Sequence, residues 1–275
     1  MCEFCIEHGQ GTKWYLQTKN YAEELLNEER KRYITDFYER FEEMAADGLA
    51  AMDKLVPADL AVPKVGRSPI AEGMKQQHFG QVIPLEDVEK ILDFTTSITR
   101  VHCVCRSLLH GVYDDRYCFN VATFKSDFWP KGVWEQWPDY SKGIEILTVE
   151  EAKKEFQKLD RNGLVHSVWH YNAPFIAAIC NCAPTDCLGF RMMERGQRPF
   201  FKAEYVAAID IEQCNGCRDC VKICPFGAIA YSPASQKCTI HQLQCFGCGL
   251  CRGVCALDAI TLLDRNAIPV LAKEW

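Results

Sequence analysis

The stretch CNGCRDCVKICP, residues 214–225, spaces its cysteines as Cys-x2-Cys-x2-Cys-x3-Cys and follows the last with proline. At residues 245–256, CFGCGLCRGVCA has the same spacing, with Ala256 where the first run has Pro225. Laid over each other, CNGCRDCVKICPFGAIAY and CFGCGLCRGVCALDAITL align all four cysteines, Gly216 with Gly247, and Ala228-Ile229 with Ala259-Ile260. Ile209 falls opposite Ile240. The period is 31 residues. Neither half is long enough to bury a core alone, so the copies are expected to pack face to face around shared groups.

Two residues between thiolates let consecutive sulfurs curl around one corner of a cubane, and soft thiolates suit iron–sulfur clusters. Zinc is the rival, because paired Cys-x2-Cys runs bind it. Eight cysteines in two such blocks favour clusters. Residues 205–263 resemble a bacterial-type ferredoxin domain with two [4Fe-4S] clusters. In that family the fourth cysteine of each run serves the other cluster. The resemblance therefore implies one cluster on Cys214, Cys217, Cys220 and Cys255, and a second on Cys245, Cys248, Cys251 and Cys224. Gly216 and Gly247 would let backbone N–H groups approach the cluster sulfurs. Ala256 alters a turn and removes no ligand. Cys238, in KCTI, reads as a buried thiol on a strand.

The chain has 275 residues and 17 cysteines. A secreted disulfide scaffold is disfavoured by the odd count and the short spacings. The opening MCEFCIEHGQGTKWY has neither a basic n-region nor an apolar h-region, and no apolar run approaches the length of a membrane helix. A cytoplasmic protein without a membrane span is expected. The formal charge is −6. Two thiolate-bound clusters would take it to roughly −10. So acidic a body is repelled by phosphate backbones, which argues against nucleic acid. The expected partner is a redox protein with a basic docking patch, or the other subunits of a larger complex.

The expected fold class is α+β: a C-terminal bacterial ferredoxin-like double-cluster domain, preceded by a cysteine-bearing α/β domain and an N-terminal helix. Residues 1–56 comprise a cysteine arm and a helix over residues 21 to about 47, with Leu26, Tyr33, Phe37, Phe41 and Met44 as its packing stripe. Residues 57–84, with Pro57, Pro63, Pro69 and Pro84, have linker composition. The central domain is 85–204. A helix after Pro84 would bury Val88, Ile91 and Leu92. VHCVCR alternates as a strand would, and residues 126–140 read as a packed loop with three tryptophans. A helix from Thr148, with Glu151 at capping-box spacing, would end near Asn162-Gly163. It feeds two β-rich runs, LVHSVWHY and FIAAICNC, joined by NAP, a pattern that looks like a winged helix. The domain at 205–263 would carry two short hairpins and two small helices. The tail 264–275 ends in a tryptophan that could dock on a neighbour.

Eight cysteines lie outside the repeat and Cys238. Cys103, Cys105, Cys118, Cys180, Cys182 and Cys187 group as Cys-x-Cys-x12-Cys and Cys-x-Cys-x4-Cys. On strands, each Cys-x-Cys pair would project from one face. A three-residue NAP loop would set His166 opposite Cys180 and Leu164 opposite Cys182. These six are the candidate third centre, a third [4Fe-4S] cluster or zinc. The competing reading is reduced, buried thiols that pack as small hydrophobes. The segment with CVCR, GLVH and CNC resembles cysteine-rich segments upstream of ferredoxin domains in anaerobes, which implies no particular reaction. In the arm, Cys2, Cys5 and His8 offer three more ligands, for zinc, for a cluster or for nothing. Arg106 is a surface ion pair or a neutraliser of cluster charge.

Motifs for a dinucleotide fold, a phosphate loop, a nucleophile elbow and a His-Glu-x-x-His zinc site are absent from the sequence. The expected function is one-electron transfer through two [4Fe-4S] clusters and a third metal centre, as a protein or subunit of an anaerobic redox complex. The alternatives are an oxidoreductase with a catalytic cluster or metal at the central cysteines, and a cluster-based redox or metal sensor.

Overall fold

The computed structural model describes residues 2–55, 75–125, 127–133, 144–195 and 199–275. Helices α1 (Glu3–Glu7) and α2 (Glu28–Leu55) come first. Strand β1 (Gly80–Val82), helix α3 (Leu85–Phe94), strand β2 (Ser97–Val101), helix α4 (Val104–His110) and strand β3 (Cys118–Ala122) follow. Next come β4 (Glu145–Ile146), α5 (Val149–Arg161), β5 (Val165–His170), β6 (Ile176–Cys182), α6 (Leu188–Glu194) and β7 (Phe200–Phe201). The C-terminal part holds β8 (Tyr205–Ile209), α7 (Asp219–Ile223), β9 (Ile229–Ser232), β10 (Lys237–Ile240), α8 (Leu250–Gly253) and β11 (Ile260–Asp264). Helix and sheet mix as the α+β reading expects, and no described helix is long and apolar enough to cross a membrane.

Seven strands form one sheet, in the order β4-β2-β3-β6-β5-β1-β7. All pairs are antiparallel except β1 with β7. Alternation along the strands separates two faces. Ile98, Phe119, Val121, Val168 and Ile179 share a core with Val88, Ile91 and Leu92 of α3 and with Ala152, Phe156 and Leu159 of α5. Both helices are placed by sequence signals. Pro84 precedes the first turn of α3, and Thr148 with Glu151 makes both bonds of a capping box at α5. The opposite face presents Cys118, Cys180, Cys182, Val165 and Trp169 toward Ile34 of α2, Phe190 of α6, and Phe246 and Leu250 from the C-terminal part.

Several expectations are corrected. Helix α2 starts at Glu28, not at residue 21, because 3-10 turns occupy Trp14–Leu16, Thr18–Tyr21 and Glu23–Leu25. Asn27 Oδ1 accepts from the Arg30 amide at 2.9 Å at the helix start. Tyr33 and Phe37 pack on the core, but Met44 is exposed. The helix outruns the body it packs against. The end of the expected linker is not loop: Gly80–Val82 is a buried strand paired with β5 and β7. Its other prolines, Pro57, Pro63 and Pro69, lie outside the described residues. So do Trp134 and Trp137, whereas Trp129 is buried. The hairpin β5–β6 is no wing, since β3 and β1 flank it within the sheet. Trp275 packs into its own chain's core rather than waiting for a neighbour.

The C-terminal part follows the repeat. Strand β8 pairs with β11, and β9 with β10. Only the second pair is a hairpin; the first joins the two ends of the segment. Ile209 faces Ile260, and Ile240 faces Ile229, so each half completes its partner's sheet. The close approaches repeat too. A Cβ on Gly216 would stand 2.1 Å from the Gln236 carbonyl oxygen, and one on Gly247 would stand 2.1 Å from that of Tyr205. Gln236 and Tyr205 are themselves one period apart.

This part is anchored to the sheet domain. Arg252 grips Glu86 of α3 with both amino groups, at 3.0 and 2.7 Å. Arg265 is fully buried and donates to the carbonyls of Ala203, Tyr205 and Cys245. The aromatic residues of the arm, Phe4, Trp14, Tyr15 and Tyr21, complete the core under α3 and α5.

Candidate metal centres

The repeat builds the first group of thiols. A small apolar cavity is lined by Cys224 from the first run and by Cys245, Cys248 and Cys251 from the second. Pro225, Phe226, Phe246 and Leu250 are among its walls. Backbone amides point at the sulfurs: Ala228 N donates to Cys224 Sγ at 3.3 Å, and Ala207 N and Gly247 N to Cys245 Sγ at 3.4 Å. Such donors stabilise thiolate and tune a bound cluster. Burial holds Cys248 well above the usual range and pushes Cys251 up to about 12.

Cys214, Cys217, Cys220 and Cys255 belong to the other side of the repeat. Cys217 is exposed and Cys220 is buried. Burial pushes Cys214 upward, but the amides of Cys238 and Gly216 and the Lys237 ammonium outweigh it, so its pKa is lowered. Burial first, then the Cys238 thiol, pushes Cys220 up to about 12. Cys238 is 1% exposed, on β10. It occupies the position that Ala207 holds one period earlier. Its amide serves Cys214 as that of Ala207 serves Cys245.

The central cysteines form one constellation. Cys118 and Cys180 are directly paired across β3 and β6, and Cys182 lies two residues further along the same face. Helices α4 and α6 close over them, with Cys103 and Cys187 at their N-caps and Cys105 in the first turn of α4. Each thiol interacts with two others: Cys103 with Cys105 and Cys118, Cys180 with Cys118 and Cys182, Cys187 with Cys182 and Cys105. The six close into a ring. The two N-cap thiols also take backbone hydrogen bonds, Cys103 from Arg106 and Cys187 from Phe190. Neighbouring thiols first, with these amides, hold both well below the ordinary thiol value. Cys105 and Cys118 are raised, each first through Cys103.

Two geometric expectations fail here. Cys103 and Cys105 are not on a strand, because β2 stops at Val101, where its partner strand β3 begins at Cys118. The β5–β6 register is also one residue off. A bulge at Trp169/His170 sets Ser167 opposite Cys180 and Val165 opposite Cys182. His166 therefore faces α5, with Nδ1 2.6 Å from Asn181 Oδ1 and its ring 5.5 Å from that of Phe156. Arg106 is held in ion pairs with Asp115 and Asp186, at 2.9 and 2.7 Å.

Ligand spacing separates two kinds of site. On a tetrahedral zinc with bonds of about 2.3 Å, thiolates lie about 3.8 Å apart. Among the described residues, the group whose donor atoms all fall within 4.8 Å of one another is Cys2, Cys5 and Glu204. No three thiols of the ring do so, and neither do any three of the repeat.

Residues 213–259 match the 4Fe-4S dicluster domain family. A ferredoxin-type domain therefore lies near the C-terminus, and its presence supports iron–sulfur clusters and iron–sulfur electron transfer in general. The matched segment contains both cysteine runs of the repeat. No curated protein matches the chain.

The arm differs from its expected ligand set. Cys2 and Cys5 come together, but His8 turns away: its ring packs edge-on to Phe4 at 5.3 Å and Nε2 lies 3.8 Å from Glu7. The third member is Glu204, 199 residues from Cys5. Its signal in the sequence is faint, a single carboxylate inside the apolar run FFKAEYVAAI.

Proposed function

We propose that this chain is an electron-transfer protein or subunit of an anaerobic redox complex, with three iron–sulfur centres. In this reading Cys224, Cys245, Cys248 and Cys251 hold one [4Fe-4S] cluster of the dicluster domain, and Cys214, Cys217, Cys220 and Cys255 hold the other. The six-thiol ring holds the third. When bound, such clusters supply one-electron redox steps. The chain's own residues orient the thiolates, donate amides to the sulfurs, and exclude water with Phe226, Phe246 and Leu250.

The observation that carries the reading is continuity. The ring thiols Cys118, Cys180, Cys182 and Cys187 share one apolar cluster with Phe246, Leu250 and Cys248 of the dicluster domain. Phe190 of α6 lies 5.4 Å from Phe226, and Phe226 stacks on Phe246. A third centre in the ring would share that apolar cluster with Cys248. A cytoplasmic setting and a redox partner with a basic docking patch complete the proposal, given the acidic charge.

A second reading follows from the thiol count. One cubane takes four thiolates, and the ring offers six, enough for two joined metal–sulfide units with three thiolates each.

Iron and acid-labile sulfide per chain, on protein purified without oxygen, separate these outcomes. About eight of each leaves the ring without a cluster, and the three-centre proposal fails. About twelve supports a third [4Fe-4S] cluster, and about sixteen the larger centre. Cys180→Ser should then lower only the iron above eight. Cys217→Ser should lose or convert one dicluster-domain signal and spare the ring.

A further inference from the structure

Cys2, Cys5 and Glu204 meet out of solvent, at 1, 0 and 2% exposure. Cys2 Sγ lies 3.3 Å from Cys5 Sγ, and Cys5 Sγ lies 2.8 Å from Glu204 Oε1. Cys2 caps α1 and Cys5 stands one turn later, so both thiols leave the helix on one side. Asn266 Nδ2 donates to Glu204 Oε2 at 3.0 Å. That bond fixes the carboxylate with Oε1 toward the thiols, as outer partners fix metal-bound carboxylates.

Charge and spacing point the same way. A buried carboxylate beside two thiols is a donor set that a shared cation would stabilise. Two thiolates and a carboxylate carry three negative charges. A divalent ion leaves one. A mixed sulfur and oxygen set at this spacing suits a tetrahedral ion with no redox chemistry.

We propose that Cys2, Cys5 and Glu204 bind one zinc ion, which clamps the N-terminal arm to the strand entering the dicluster domain. Glu204 directly precedes β8, and its carbonyl accepts from Arg265 N at 2.9 Å. The three side chains fill three positions, and a single enclosed water would take the fourth. The ion joins the N-terminal arm to the start of β8 independently of any iron.

The test is metal analysis of the full chain, grown with zinc and purified without oxygen. One zinc per chain is expected beside the iron. Zinc-edge X-ray absorption should show about two sulfur and two lighter neighbours. Cys5→Ser and Glu204→Gln should each lower zinc at least tenfold and leave iron unchanged. Cobalt(II) added to zinc-depleted protein should give thiolate charge-transfer bands that Cys5→Ser abolishes. Zinc far below one per chain with no cobalt bands would overturn the proposal. So would a shell of four sulfurs, or a peptide mass map that places a disulfide between Cys2 and Cys5. The absorption and mass measurements use the unmodified chain, so they decide the matter even if a variant fails to fold.

Discussion

Phe226 and Phe246 stack face to face, with 4.1 Å between ring centroids and 8° between planes. Phe226 follows the last cysteine of the first run by two residues, and Phe246 directly follows the first cysteine of the second. Phe190 touches Phe226 with its ring and serves Cys187 with its amide. One short apolar bridge thus joins the six-thiol ring to the dicluster domain.

Phe226→Leu keeps an apolar side chain of similar bulk and removes the stack. Iron per chain should stay at the wild-type value. If the ring holds the proposed third centre, electron equilibration between ring and dicluster domain, followed by freeze-quench spectroscopy after rapid reduction, should slow. An unchanged rate at full iron content would remove this bridge from the route.

Gly247 makes a sharper prediction. Its φ is +71°, and an added Cβ would stand 2.1 Å from a backbone oxygen that β8 holds in place. Gly227 also has positive φ, at +63°, but an added Cβ there meets nothing within 4 Å. Gly227→Ala should cost about 1 kcal/mol of backbone strain and keep all its iron. Gly247→Ala should cost at least about 3 kcal/mol and lose roughly one cluster's iron. Equal iron in the two variants would show that the close approach is dispensable.

Cys238 tests the repeat itself. Ala207, its counterpart, supplies the same amide to a neighbouring sulfur with no thiol at all. Cys238→Ala should therefore keep both dicluster-domain signals, at a cost of about 1 kcal/mol for the small void. Loss of about four irons would instead make Cys238 a ligand.

The repeat was legible in the sequence because its information is local. Spacings of two and three residues put thiols on one loop, and a 31-residue period pairs the halves. The helices after Pro84 and from Thr148 were legible for the same reason, through a proline and a capping box. The ring was only half legible. Its six members stood out as thiols, but their closure depends on β3 lying between β2 and β6, and on a bulge that shifts the β5–β6 register. Periodicity could not see that β2 would stop at Val101, since a short apolar run does not fix where its partner ends. Glu204 was barely legible: its one sign is a carboxylate in a mostly apolar run, and nothing local to Cys2 and Cys5 predicts a partner 199 residues from Cys5.

His170 carries the last prediction, on acid stability. It is 0% exposed, its ring stacks on Phe4 at 5.3 Å, and Trp14 stands edge-on at 6.0 Å. Burial, and then the nearby charge of His78, pushes its imidazole down to about 3. The unfolded chain protonates the same ring near 6.5. Above that pH neither state is charged, and His170 costs nothing. As pH falls from about 6.5 toward 3, the unfolded state takes up a proton that the folded state refuses. Stability then drops by about 1.4 kcal/mol per unit and levels off once the folded ring titrates. Between pH 6.5 and 5 the loss from this one residue is about 2 kcal/mol. His170→Gln has no such proton to bind. Anaerobic thermal scans at pH 7 and pH 5 should show the variant's Tm falling less than that of the unaltered protein. If the two fall in parallel, His170 is not the group that limits acid stability, and other groups carry the dependence, His78 among them, whose imidazole burial pushes down to about 4.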